Sequence, residues 1–432
     1  MKLKQLMAAM AVAGMALPLA AHATDGMFAS GYGMTANGMG GAATAMSEDT
    51  FGGANNPASM AFVGNRIDLG ASLFSPRRSA SNTGNNVGYG MGQPGVAFTS
   101  PGTSDSNYFV VPEFGINHMI RPNLAVGVSV YGNGGMNTNY SSTNPTTGGH
   151  TNAFLGDGNL GVNLMQLIIA PTLAVKATDT LSFGISPLLA YQQFSAQGLQ
   201  GFEGYSQSPT TMTNTGTDSS TGAGVRVGVM YKITPTVSLG AQYASKISMS
   251  KMSKYSGLFP NQGELDLPEN YSLGIAWQAT SALKLALDYE VINYSGAAGI
   301  GNPFVVNNLG QLTSGQFGAT DGSGFAWQNI NVWKVGAEYQ YNDRWTVRAG
   351  WNHSQNPVQD SALMLNELAP GIITDHLTLG ASYVTDNGNE WTVAYVHAFN
   401  ATQTAAIPMG LGGGIASTSM YQDTLGIAYA WR

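Results

Sequence analysis

The chain has 432 residues and no cysteine, which excludes a disulfide framework and thiolate metal sites. Its formal net charge is −7, so it offers no basic field for nucleic acid. Only 9% of its residues are charged, against about 25% in an average soluble protein, so an ordinary water-facing surface is a poor fit.

Residues 1–23 read as a secretory signal peptide. Lys2 and Lys4 open it, an apolar run over 6–19 follows, and Ala21-His22-Ala23 is a small-x-small cleavage site, so the mature chain is expected to start at Thr24. That run is too short for a spanning helix, and no later stretch approaches the about 20 apolar residues that one needs.

Residues 24–64 show neither helical nor strand periodicity. They are rich in Gly and Ala and have little means to fold alone, yet they carry Met27, Phe28, Tyr32, Met34, Met39, Met46, Phe51, Met60 and Phe62. Two readings stay open: a plug packed inside a wider structure, or a disordered periplasmic tail.

From residue 65 onward the dominant signal is period two. In 283–291, Leu283, Leu285, Leu287, Tyr289 and Val291 share one face, while Lys284, Ala286, Asp288 and Glu290 share the other. Two more stretches, 345–351 and 424–431, alternate in the same way between large apolar and small or polar residues. A strand wall between lipid and an aqueous lumen has this pattern, and it places apolar residues at alternate positions only. Six short turns fall near 121–123, 177–180, 234–236, 279–282, 342–344 and 386–389. Seven longer polar loops fall near 77–107, 134–162, 196–221, 250–267, 295–327, 355–373 and 402–419. Together they imply an all-β chain: a 14-stranded antiparallel transmembrane β-barrel over 65–432, with short turns periplasmic and long loops outside. A barrel this wide has a lumen that side chains alone do not fill, which suits the plug reading of 24–64. The third strand is the weakest, because Gly132, Gly134 and Gly135 suggest a bend or lost pairing. Trp431 stands one place short of the end, where barrels of this kind commonly finish on an aromatic residue read by the barrel assembly machinery.

By alternation Arg226, Lys334 and Arg348 point into the lumen. They either bind a carboxylate ligand or form a ladder with Asp288, Glu290 and Glu338. His118, His150, His353, His376 and His397 lack metal-like spacing, and no nucleophile, histidine and acid stand together. No metal, cofactor or catalytic residue is expected.

Four stretches resemble the FadL family of outer-membrane transporters, which includes long-chain fatty-acid channels and a toluene branch. Residues 38–60, with Asn56, Pro57 and Ala58, resemble its N-terminal hatch. Residues 111–120 and 124–135 are similar to its second and third strands, Leu267-Pro268-Glu269 to the opening of its eighth, and 332–358 to its tenth and eleventh. The resemblance implies a monomer with three parts: 1–23 signal, 24–64 hatch and 65–432 barrel. It implies capture of a hydrophobic small molecule or fatty acid at the loops near 196–221 and 250–267, which carry Leu199, Phe202, Tyr205, Met212, Met252, Tyr255, Leu258 and Phe259. Phe28 lies near where the family's first hatch residues meet ligand. It further implies passive transport and a sideways exit at the third-strand kink, into outer-membrane lipid below the lipopolysaccharide. The competing function classes are a barrel enzyme acting on lipids, which needs a nucleophile and histidine pair, and an adhesin or receptor, which favours longer and more charged loops.

Overall fold

The structure, a computed structural model, describes residues 25–87, 96–141, 152–154 and 156–432. The expected signal peptide and His150 lie outside the described residues.

Fourteen strands form a closed antiparallel ring. They are β1 (Arg66–Val87), β2 (Phe109–Arg121), β3 (Leu124–Tyr140), β4 (Leu160–Lys176), β5 (Leu181–Gln197), β6 (Asp218–Lys232) and β7 (Val237–Ala244). The ring continues through β8 (Asn270–Gln278), β9 (Leu283–Ile292), β10 (Ile330–Gln340), β11 (Trp345–Ser354), β12 (Asp375–Val384), β13 (Glu390–Ala406) and β14 (Ile415–Trp431). Each strand pairs with its sequence neighbour, and β14 closes on β1 from Ile67↔Trp431 to Thr83↔Ile415. A short strand Val96–Thr103 extends the top of β1, and Ser248–Met249 pairs with β6.

Alternation in the sequence becomes two faces. On β12, Leu377 and Leu379 are exposed on the outside, whereas His376 and Thr378 are buried on the inside. An apolar outer row costs nothing against lipid tails, and closing the ring leaves no free sheet edge. Near the short turns, Trp345, Trp391 and Trp431 stand outward, with Trp345 stacked against Tyr383 at 4.9 Å and Trp391 against Tyr429 at 4.6 Å. These amphipathic rings mark one membrane boundary. No helix among the described residues is long and apolar enough to cross a membrane.

The loops are shorter than their composition suggests. β1 runs on through Val87, β3 through Tyr140, and β13 and β14 stay paired up to Ala406 and Ile415. The Ser-, Thr- and Asn-rich ends expected as loops near 77–107, 134–162 and 402–419 are therefore in part strand. Above the lipid, both strand faces meet polar surroundings, so the ladder persists while the hydrophobic alternation that reveals it in the sequence stops.

Candidate functional site

The N-terminal segment is held by the inner faces of the strands. It contains only short pieces of helix, α1 (Met34–Gly38) and α2 (Met60–Val63), with single turns at Phe51–Gly53 and Pro57–Ser59. Its backbone groups find partners on the strands instead. The Ala43 and Thr44 amides both donate to Asp288 Oδ2 at 2.8 Å, and the Gly40 amide donates to Thr378 Oγ1 at 2.8 Å. Ser182 Oγ donates to Ala58 O at 2.8 Å, and Asn117 Nδ2 donates to Met60 O and Gly64 O at 2.9 and 2.7 Å.

The Asn56-Pro57-Ala58 motif joins the segment both to itself and to the wall. Asn56 caps its turn by accepting from the Ala58 amide at 3.1 Å, while Nδ2 donates to Thr44 O at 2.7 Å and to Val229 O at 3.1 Å. Two glycines in the barrel wall make room. A Cβ on Gly228 would lie 2.0 Å from Asn56 Oδ1, and one on Gly184 would lie 2.3 Å from the Pro57 carbonyl carbon. Wall glycine opposite a small polar motif is a signal that the sequence carries.

The lumen cations are all engaged by protein groups. Lys334 pairs with Glu290 at 2.6 Å, and Arg348 with Glu338 at 2.7 Å while also donating to Ser382. Arg226 donates to the carbonyls of Gly53 and Ala54. Asp288 serves the segment's backbone rather than a cation. Phe28, Arg226 and Lys334 line one small cavity of about 20 Å³, room for about one water; Arg348 does not reach it. Burial pushes the Asp25 carboxyl up to about 6, with Lys334 pulling the other way. Burial and the neighbouring Asp68 push Asp49 up to about 7.

Above the segment, the long loops close over an apolar cluster. Phe194 stacks edge-on against Tyr255 and Phe259, each at 4.8 Å, and Phe202 packs against Phe154 at 5.0 Å and Phe304 at 5.9 Å. Leu199, Phe202, Leu258 and Phe259 are all buried here, and the same cluster runs down to Phe28, beside Tyr294 at 6.1 Å. The candidate apolar residues are thus brought together, but against each other. The loops over 293–329 and 355–374 contribute as much, through Phe304, Phe317, Trp327, Leu363, Leu365 and Leu368. Their role is not marked by alternation, although the run Ala362-Leu363-Met364-Leu365 is a visible apolar signal in a loop. Glu367 is buried there, which raises its carboxyl well above the usual range. Tyr140 Oη donates to Glu367 O at 3.0 Å, and Thr138 Oγ1 to Leu368 O at 2.6 Å, tying this loop to the top of β3.

The wall is interrupted at the third strand. The β2–β3 ladder stops at Phe114↔Val130, although β2 continues to pair with β1 as far as Phe109↔Phe74. On the other edge, the β3–β4 register slips between Gly132 and Gly135. Pairing toward β2 resumes only through Ser104↔Tyr140 and the Asp105 amide to Asn139 O at 3.0 Å. Between these limits every residue from Tyr131 to Thr138, including Gly132, Gly134 and Gly135, is buried, so in-out alternation is lost. The N-terminal segment covers the inside of this stretch. The Ala29 amide donates to Asn133 O at 3.3 Å, Tyr32 Oη donates to Asn133 Oδ1 at 3.1 Å, and the Tyr32 and Tyr131 rings lie 4.6 Å apart. Asn133, hidden among the glycines, carried no sequence signal of its own.

A closed fourteen-strand barrel with a lipid-facing exterior and an apolar interior cluster defines an outer-membrane channel protein. The family model for outer membrane protein transport proteins (OMPP1/FadL/TodX) matches residues 11–410, and the chain belongs to that family of bacterial outer-membrane transporters. Among solved structures, the fold is similar to the Pseudomonas putida toluene transporter TodX, at TM-score 0.67 and 19% identity over 94% of this chain and 99% of that chain. A Pseudomonas aeruginosa FadL homologue matches at TM-score 0.67 and 18% identity, over 94% and 99%. The Ralstonia pickettii toluene transporter TbuX matches at TM-score 0.63 and 19% identity, over 93% and 98%. No curated protein matches the chain in sequence.

Proposed function

We propose that the protein is a passive channel that takes up hydrophobic compounds, with residues 24–64 as its hatch and the β3 interruption as its exit. Substrate enters the apolar cluster where Leu199, Phe202, Leu258 and Phe259 part, and descends toward Phe28. Displacement of Ala29 and Tyr32 from Asn133 then frees the interrupted stretch, and the substrate leaves sideways into the outer leaflet. The observation that carries this reading is the ladder gap between Phe114↔Val130 and Ser104↔Tyr140, covered from inside by the N-terminal segment at Asn133 and by the 355–374 loop at Thr138 and Tyr140.

The cation pairing bears on substrate class. A fatty-acid carboxylate would have to displace Glu290 from Lys334, or Glu338 from Arg348, and a like charge gains little by such an exchange. Uncharged hydrocarbons have no such competition, and toluene transporters are among the proteins of similar fold. An uncharged hydrocarbon is therefore the favoured substrate, ahead of a long-chain fatty acid.

The test is uptake of radiolabelled toluene and of oleate by cells expressing the wild type or Gly134→Leu, with heat-modifiability on gels to confirm folding. Gly134 is buried in the interrupted stretch, so a leucine there obstructs the exit, and burial of its side chain is worth about 1.5–3 kcal/mol. Toluene uptake by the wild type and its loss in the folded variant are expected. Normal uptake by the folded variant would reject the lateral exit.

A further inference from the structure

We propose that a groove on the outward face, at the top of β3 to β6, binds the neutral sugars of the lipopolysaccharide surrounding the barrel. The groove has a volume of about 690 Å³, within the range of small-ligand sites.

Its height follows from the strand register. On the outer face, Ile169 pairs with Leu189, and the next row up pairs Leu167 with Tyr191. Ile169, Leu189 and Tyr191 are all exposed, and the aromatic ring marks the upper edge of the lipid band. Above it the rows become Met165 with Gln193, Asn163 with Ser195, and Gly161 with Gln197. Six residues separate Tyr191 from Gln197, about 20 Å along a strand and roughly 15 Å along a barrel axis tilted by about 40°. That places the upper rows among saccharides rather than acyl chains.

The chemistry of the lining agrees. Asn137, Asn139, Asn163, Ser195 and Gln197 supply neutral amides and a hydroxyl, and Phe109 adds one ring. None of the lining residues is Lys or Arg. A site for lipid A phosphates would carry such cations. Instead a carboxylate stands at the rim, where Asn139 Nδ2 donates to Asp105 Oδ1 at 2.6 Å. Sugar hydroxyls, which both donate and accept, are the groups that amides match.

The site is also organised in advance. Asn139 Oδ1 accepts from Gln197 Nε2 at 2.8 Å and from Asn159 Nδ2 at 3.2 Å, so three amides hold one another in place. Gly161 forms the floor between Asn139 and Gln197. A Cβ there would lie 2.2 Å from Thr138 O, so close strand approach keeps the floor bare. Asn137 is 4% exposed, and its Oδ1 has no hydrogen-bond partner. A buried acceptor left open in this way is satisfied by a ligand hydroxyl. Because Asn137 also belongs to the interrupted stretch of β3, a bound sugar would sit at the upper edge of that gap.

The experiment uses the detergent-purified full-length protein and two probes, lipopolysaccharide with a complete core and deep-rough lipopolysaccharide lacking the neutral core sugars. The wild type should bind the complete form about tenfold more tightly, the worth of one or two neutral hydrogen bonds. In Asn163→Ala/Gln197→Ala, both exposed positions and so safe for folding, that ratio should fall to about one. Delipidated core oligosaccharide should compete in the wild type. Equal binding of both forms by the wild type, an unchanged ratio in the variant, or no competition by the delipidated core would each overturn the assignment.

Discussion

Asn56 is fully buried and makes three side-chain hydrogen bonds, to Thr44 O, Val229 O and the Ala58 amide. Asn56→Ala removes all three. At about 1 kcal/mol each the loss is about 3 kcal/mol, which shifts docking of the N-terminal segment more than about 100-fold toward release. The strand ladders are untouched, so the barrel should keep its heat-modifiability. Gly228→Ala attacks the same contact from the wall, since its Cβ would fall 2.0 Å from Asn56 Oδ1. The chain contains no cysteine, so Ser59→Cys gives a single, near-isosteric and buried reporter. Its maleimide labelling rate should rise about 100-fold in Asn56→Ala, together with single-channel conductance in planar bilayers. Adding Gly228→Ala to Asn56→Ala should change less than the sum of the two, because they share the Asn56 contact and only the approach to Pro57 Cδ at 2.9 Å remains. Labelling and conductance equal to wild type in a folded Asn56→Ala barrel would refute the reasoning.

Docking should also depend on pH. Burial holds Asp25 near 6 and Asp49 near 7, whereas both fall near 4 in a released, solvated segment. Through these two groups protons favour docking: their contribution is full below about pH 4 and is lost as pH rises through 6 to 7. Conductance should increase from pH 5 to 7.5, and Asp25→Asn with Asp49→Asn should flatten the rise. Protease added to intact cells should cut only within the long connections, such as 198–217 or 293–329; cleavage beside Pro122, Pro235 or Asn387 would invert the topology.

The ring was legible because lipid and lumen impose opposite demands on successive residues, so Leu377, His376, Thr378 and Leu379 announce their faces directly. Strand ends were not, because that contrast vanishes above the membrane; Asn137 and Gly161 read as loop and stand in a ladder. The glycines of β3 announced weakened pairing, but not which edge loses it. That depends on β2 staying with β1 beyond Phe114, a partnership between segments that local composition does not encode. For Lys334 and Arg348 the alternation fixed direction, while Glu290 and Glu338 as partners needed the register of β9, β10 and β11. Tyr32 and Asn133 are a hundred residues apart and met only in three dimensions.

The seam between β1 and β14 bears on how such a molecule is made. It joins Ile67 to Trp431, nearly the largest separation the strands permit, so it is the costliest loop to close and the last that the growing sheet can form. Until that seam closes, β1 and β14 both present open edges. The N-terminal segment hangs from the start of β1, at one of those edges. To end between Thr378 on one wall and Ser182 on the other, it must be inside before the edges meet, or thread a ring already sealed. The wall glycines that receive Asn56 and Pro57 lie on β5 and β6, away from the seam, so their contacts do not need it closed. Insertion can therefore precede sealing, and closure of the seam becomes the step that traps the segment in the lumen.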